Sequence, residues 1–105
     1  MGKILNPAED KTCEKTTCRG VVQIKNRLGL HLRPASRLVK LASEFPDCEI
    51  SVSKDDQQVN AKSIMGVIML AAEQGSELQI EAVGESAARA VSSLAQLVES
   101  GFGEE

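Results

Sequence analysis

The chain has one histidine, His31, and it stands two residues before an arginine and three before a proline. Proline is favoured in the first turn of a helix, and the apolar spacing after Pro34 predicts an amphipathic helix. The unpaired backbone N–H groups and the positive dipole end of such a helix attract phosphate, and Arg33 can donate two parallel hydrogen bonds to it. A phosphoryl group carried on His31 would therefore be held on several sides, and Arg33 would stabilise it.

The imidazole of His31 is suited to act as a nucleophile at this position. A nearby cation and a helix N-terminus both disfavour the imidazolium form, which leaves a ring nitrogen able to attack phosphorus. The alternative is a solvated loop histidine beside a proline-started helix, and residues 29–35 alone do not separate the two interpretations. We expect neither a metal nor a cofactor at this site.

A second motif, Val-Asn-Ala-Lys-Ser-Ile-Met-Gly, occupies residues 59–66. The two motifs, their order and their separation resemble the histidine-containing phosphocarrier protein family, HPr, of the bacterial phosphotransferase system, including its nitrogen-branch NPr type. The resemblance covers the chain from about residue 20 to the C-terminus. One residue departs from the family pattern, because Leu32 stands where family members usually have alanine or another small residue.

The resemblance implies a function and its partners. His31 would accept a phosphoryl group from enzyme I, as tele- or pros-phosphohistidine, and pass it to an enzyme IIA protein, so that the chain is a phosphoryl carrier and not an enzyme. By the same resemblance, Ser63 would be a regulatory phosphorylation site for an HPr kinase/phosphorylase. Ser63 also precedes an apolar helical run, and its side chain is expected to cap that helix, which stabilises it by about 1 kcal/mol.

The helix expected from about residue 63 to residue 72, with Gly75 as its cap, is apolar nearly all the way round. A helix on one face of a small sheet cannot bury every side, which favours a surface for partner proteins. By resemblance, the outward docking residues would be Ile64, Met65 and Ile68, and methionine suits a surface that fits several partners.

Composition limits the remaining function classes. A chain of 105 residues with 42% hydrophobic residues supports one small domain. A net charge of −3 and only two aromatic residues argue against nucleic acid as a partner. No run is long enough to span a membrane and the N-terminus lacks a signal peptide, so we expect a cytoplasmic protein without membrane contact, and a monomer.

Residues 1–19 are polar and aperiodic, which predicts a flexible tail ahead of an HPr-like domain at residues 20–105. Cys13 and Cys18 have four residues between them, a spacing that fits neither a redox Cys-x-x-Cys pair nor a complete metal site. We therefore interpret both as free thiols. Cys48 lies on the inward side of a predicted strand and is expected to be a small core residue.

The periodicity of the chain predicts its fold class. Alternating residues predict strands near 21–25, 48–53, 58–61 and 77–83, and the longer periods predict helices near 34–45, 63–72 and 86–100. The order βαββαβα predicts an α+β protein, with a four-stranded antiparallel sheet, three helices on one face and the other face in water. HPr-like proteins have this architecture, an open-faced β-sandwich.

Two other functions compete with the carrier. One is an HPr-like regulatory protein of carbon or nitrogen metabolism, whose output is partner binding that depends on phosphorylation. The other is a small metabolic enzyme, which lacks support because no second acid–base residue accompanies the single histidine at motif spacing.

Overall fold

The computed structural model of the chain describes residues 11–103. Its five strands are Lys11–Glu14 (β1), Thr17–Gln23 (β2), Glu49–Lys54 (β3), Gln57–Asn60 (β4) and Glu77–Val83 (β5). Its three α-helices are Leu32–Ala42 (α1), Ile64–Met69 (α2) and Ala87–Glu99 (α3), and a 3₁₀ turn at Gly101–Gly103 follows α3.

The sheet is antiparallel throughout, with its strands in the order β1-β2-β5-β3-β4. Strand β5 lies at its centre, where Ile80 stands opposite Gly20 on one side and Val52 on the other. The residues of β5 alternate between buried and more exposed, because successive side chains of a strand point to opposite faces. One face of the sheet therefore forms the core, which confirms the predicted open-faced α+β architecture, although β1 adds a fifth strand to the four predicted.

The helices supply the other half of the core from their apolar stripes. Helix α1 buries Pro34, Ala35, Leu38 and Ala42, and helix α3 buries Ala87, Ala90, Val91, Leu94, Ala95 and Val98. The opposite face of the sheet is polar, and its cross-strand contacts include Arg19 Nε to Glu81 Oε2 at 3.0 Å and Gln58 Nε2 to Ser51 Oγ at 2.9 Å. The core therefore lies on one side of the sheet, and the other side is polar.

Helix α2 is shorter than the sequence predicts. It ends at Met69 with Leu70 as its C-cap, and Ala71 then adopts a left-handed conformation with φ 51°. The prediction failed because a run that is apolar on all sides has no period to mark where the helix stops. The predicted cap, Gly75, lies in a later turn, where its N–H donates to the Ile24 carbonyl at 2.9 Å.

The predicted tail is wrong for residues 11–19. Strands β1 and β2 form an antiparallel hairpin, in which Lys11 stands opposite Gly20, and β2 continues by pairing Thr17 with Val83 of β5. The turn between them places Lys15 at φ 57°. Lysine is not a residue that signals a hairpin turn, so no turn signal indicated that these two strands pair. The domain begins before residue 20, and residues 1–10 lie outside the described part of the chain.

The structure changes two of the three cysteine interpretations and supports the third. Cys13 and Cys18 stand directly opposite each other in the β1–β2 hairpin and form a disulfide, so they are not free thiols. Residues that are five apart in sequence become close neighbours once the hairpin forms. Cys48 is free and buried, as predicted for a core residue, and burial raises the pKa of its thiol.

The disulfide is expected to stabilise the fold by restricting the unfolded chain. Closing a loop of this size contributes about 2 kcal/mol, so Cys13→Ser should lower the free energy of unfolding by roughly that amount. Cys13 is exposed, so the serine itself adds no buried polar group. The measurement is urea unfolding of wild type and variant, each with and without a dithiol reductant. Reductant should lower the stability of the wild type and leave Cys13→Ser unchanged; an unaffected wild type would contradict the prediction.

Candidate functional site

The loop that leads to His31 is docked on the segment that follows α2. Leu30 N–H donates to the Ala72 carbonyl at 2.9 Å. Gly29 adopts φ +71°, and a Cβ added to it would lie 2.4 Å from the Ala72 oxygen. Only glycine fits this combination of positive φ and close backbone approach. The first sequence motif is thereby held against the segment that follows α2.

His31 lies directly before α1, as its N-cap residue. Its backbone is extended, with φ −84° and ψ −169°, and its carbonyl accepts the first helical hydrogen bond, from Ala35 N–H at 3.0 Å. Its side chain is half-buried and does not cap the helix. Pro34 is the third helical residue and has no N–H, so Leu32 and Arg33 supply the N–H groups at the helix end that have no intrahelical partner.

The electrostatics around His31 favour an anion. The first turn of α1 carries no acidic residue, and the exposed Arg33 is the second residue of the helix. Two backbone N–H groups, the positive end of the helix dipole and the Arg33 side chain therefore all belong to the helix end that His31 precedes. The arrangement can accept a phosphoryl group without opposing charge in that turn.

Ser63 caps α2, as the sequence predicts. Its Oγ accepts a hydrogen bond from Gly66 N–H at 3.1 Å, and the residue is half-buried. Helices α1 and α2 pack against each other. The structure thus brings His31 and Ser63 to the N-termini of two neighbouring helices.

Lys62, which the sequence analysis did not single out, joins the second motif to the connection between α1 and β3. Its Nζ donates to the Phe45 carbonyl at 2.9 Å and to the Cys48 carbonyl at 2.7 Å. Asp47, which also lies between α1 and β3, accepts a hydrogen bond from Ser86 N–H at 2.8 Å. This hydrogen bond lowers the pKa of the Asp47 carboxyl. A lysine beside a serine motif gives no signal of these long-range contacts.

The apolar side chains around these helices only partly match the predicted docking residues. Met65 is exposed as predicted, whereas Ile64 and Ile68 are half-buried. We define as the apolar surface the four exposed large side chains near the two helices, which are Leu28, Leu32, Met65 and Met69. Leu28, at 75% exposure, and Leu32, at 63%, extend it to either side of His31 in the sequence. The sequence analysis noted Leu32 as unusual and missed Leu28 and Met69.

Two absences hold for residues 11–103. No group of three or more histidine, cysteine, aspartate or glutamate side chains could hold a metal ion there. No helix in that range is long and apolar enough to cross a membrane.

Comparisons with known proteins agree with this geometry. The family model described as "PTS HPr component phosphorylation site" matches residues 19–100. Phosphocarrier protein HPr of Neisseria meningitidis serogroup A is 42% identical over 83 residues, which are 79% of this chain and 92% of the relative. HPr of Chlamydia muridarum is 37% identical over 99 residues, which are 94% of this chain and 89% of the relative.

Solved structures give the same result. The crystal structure of HPr from Thermoanaerobacter tengcongensis has a TM-score of 0.79 and 45% sequence identity, and the match covers 83% of this chain and 97% of that chain. The fold and the similarity to these proteins place the chain in the class of phosphoryl carriers, which are not catalysts. Within that class, the chain belongs to the HPr family of the phosphotransferase system.

The docking of the loop on Ala72 can be tested with two glycines of positive φ. Gly75→Ala should cost about 1–2 kcal/mol, because Gly75 has φ +90° and open space around it. Gly29→Ala should cost more than this, since its Cβ would also collide with the Ala72 carbonyl. Urea unfolding of the two variants gives the difference. Equal losses would show that the close backbone approach at Gly29 is not required.

Proposed function

We propose that the chain carries a phosphoryl group on His31, accepting it from enzyme I and delivering it to an enzyme IIA protein. The observation that supports this most directly is the position of His31 as N-cap of α1 with Arg33 in the same turn, in a chain of the HPr family. The proposal includes a cytoplasmic location and a monomeric carrier.

The transfer itself needs only the imidazole and its surroundings. The lone pair of one ring nitrogen, Nδ1 or Nε2, attacks phosphorus, and an N–P bond forms as the donor's bond to phosphorus breaks. The N–H groups of Leu32 and Arg33 and the Arg33 guanidinium offset the charge of the phosphoryl oxygens during transfer. Because the helix fixes the two backbone N–H groups before the phosphate arrives, little reorganisation of these donors accompanies the reaction.

Delivery requires the site to be accessible from outside. His31 is half-buried, and the side chains that flank it, Leu32 and Leu28, are exposed. A partner that covers the apolar surface would exclude water from the phosphoryl group while it is transferred. The proposed docking surface also includes the exposed Met65 and its half-buried neighbours Ile64 and Ile68.

The first test is phosphorylation by enzyme I and phosphoenolpyruvate, followed by mass spectrometry. The wild type should gain one acid-labile phosphoryl group, and His31→Ala should gain none. Arg33→Lys should be phosphorylated more slowly, because lysine keeps the charge and loses the planar fork. The control is Lys40→Ala, an exposed basic residue in the last turn of α1, which should behave as the wild type. Phosphorylation of His31→Ala would overturn the proposal.

We further propose that Ser63 is a regulatory site for an HPr kinase/phosphorylase. A phosphate there would add nearly two negative charges beside the apolar surface while remaining compatible with a helix N-terminus. A partner that desolvates this surface would be repelled, since a misplaced charge in an interface costs several kcal/mol.

Ser63→Asp and Ser63→Asn separate this charge effect from the cap. Both side chains are good N-caps, so both variants should melt close to the wild type. Ser63→Asp should slow phosphorylation of His31 by enzyme I by roughly tenfold or more, and the uncharged Ser63→Asn should not. The measurements are a circular-dichroism melt and the rate of transfer from enzyme I. Equal rates for the two variants would mean that Ser63 serves only as a helix cap.

A regulatory binding protein is the alternative function. His31 and Arg33 favour the relay, because binding alone does not require a nucleophile at a helix N-terminus. A folded wild type that accepts no phosphoryl group from active enzyme I would favour the alternative.

A further inference from the structure

Asn26 is the one amide, hydroxyl or charged side chain that the described part of the chain buries, at 2% exposure. A buried carboxamide is costly unless it is hydrogen-bonded, so its presence in so small a core needs a reason. The side-chain Nδ2 of Asn26 donates to the Gly29 carbonyl at 2.9 Å, and the backbone carbonyl of Asn26 accepts a hydrogen bond from Gly29 N–H at 3.2 Å. Asn26 therefore closes the turn of residues 26–29 from both side chain and backbone.

The Gly29 carbonyl joins this turn to His31. It accepts a second hydrogen bond from His31 N–H at 3.0 Å, and the His31 carbonyl in turn accepts from Ala35 N–H at 3.0 Å. One carbonyl oxygen thus receives the donors of Asn26 and His31 together. Its direction sets the backbone of His31, and through it the imidazole relative to the first turn of α1.

Asn26 is the buried residue that anchors this loop, whereas the residues at the tip of the turn are exposed. Outside it, Leu28 is 75% exposed and Arg27 is also exposed, so the tip of the turn has little packing to hold it. Inside it, the 3₁₀ turn after α3 lies against Asn26, since a Cβ added to Gly101 would be 3.8 Å from the Asn26 Cβ. Asn26 therefore packs against the turn after α3 on one side and orients the Gly29 carbonyl on the other.

We propose that Asn26 is a positioning residue for phosphoryl transfer, acting through the Gly29 carbonyl on the orientation of His31. This inference rests on the proposed function. An apolar residue of similar size would fill the same space but would leave the Gly29 carbonyl with one donor fewer. Since a misplacement of about 1 Å can slow a reaction about a hundredfold, the loss should appear in the transfer step.

The test is steady-state phosphorylation by enzyme I with this protein as the varied substrate. Asn26→Ala should lower kcat by roughly tenfold to a hundredfold and leave KM within about threefold. KM should change little because three of the four side chains of the apolar surface, Leu32, Met65 and Met69, lie outside the turn that Asn26 closes. A purely structural role would instead act through the fraction of folded protein, which urea unfolding measures separately. If Asn26→Ala does not fold, Asn26→Ser, whose hydroxyl is shorter than the carboxamide, takes its place.

Gln74→Ala is the matched control. The Gln74 carboxamide also donates to a backbone carbonyl of the same loop, that of Lys25 at 3.0 Å, one residue before Asn26. That carbonyl has no contact with His31 N–H, so Gln74→Ala should keep the wild-type kcat. A second readout, amide hydrogen exchange of His31, should accelerate in Asn26→Ala and stay unchanged in Gln74→Ala.

The outcomes separate this inference from the function on which it rests. A wild type that accepts no phosphoryl group contradicts the proposed function. A wild type that accepts it, together with a folded Asn26 variant of unchanged kcat, overturns the role of Asn26 alone. A loss confined to KM also overturns it, because Asn26 would then shape the docking surface and not the position of His31.

Discussion

The close approach of Gly29 to Ala72 is the contact on which the functional part of the molecule depends. Residue 29 must be glycine because the Ala72 carbonyl occupies the place of a Cβ, and the neighbouring Leu30 N–H completes the contact. The contact holds the His31 loop beside the segment after α2. It joins the loop of the first motif to the chain that follows the second motif, although the two motifs are separate in sequence.

The chemistry of the site is divided between backbone and side chain. At the candidate site, the groups suited to a phosphoryl group are largely the backbone N–H groups at the start of α1, and one exposed arginine adds to them. A site made of backbone donors does not require a deep pocket. An accessible site suits a phosphoryl carrier, since a carrier exchanges its phosphoryl group with other proteins.

Much of the fold was predictable wherever periodicity was strong. Strand β5 has the predicted bounds, because its alternation reports a strand with one face buried and one in water. The positions of His31 and Ser63 before helices followed from proline and N-cap chemistry, which act within a few residues. The bounds of α2 did not follow, because its end is decided by the packing of Leu70 and Ala72 and not by its own pattern.

Long-range contacts account for the rest of what the sequence could not reveal. The disulfide depends on a hairpin whose turn carries no typical turn residue, and the β1 pairing is not visible as alternation. The side chains of Asn26 and Lys62 both donate hydrogen bonds to backbone carbonyls. Folding alone brings these carbonyls within reach, so the sequence pattern does not indicate them. An asparagine three residues before a glycine is typical of a turn, and that was the available signal for Asn26.

The β1–β2 hairpin also changes what the sheet presents to other sheets. Without β1, the seven-residue strand β2 would be an edge, with a row of backbone donors and acceptors open to pairing. Within residues 11–103, the edges are instead β1 and β4, each of four residues, and the disulfide holds β1 in place. Short edge strands are poor templates for adding another chain. A protein that keeps several large apolar side chains exposed is thereby less prone to aggregate through its sheet.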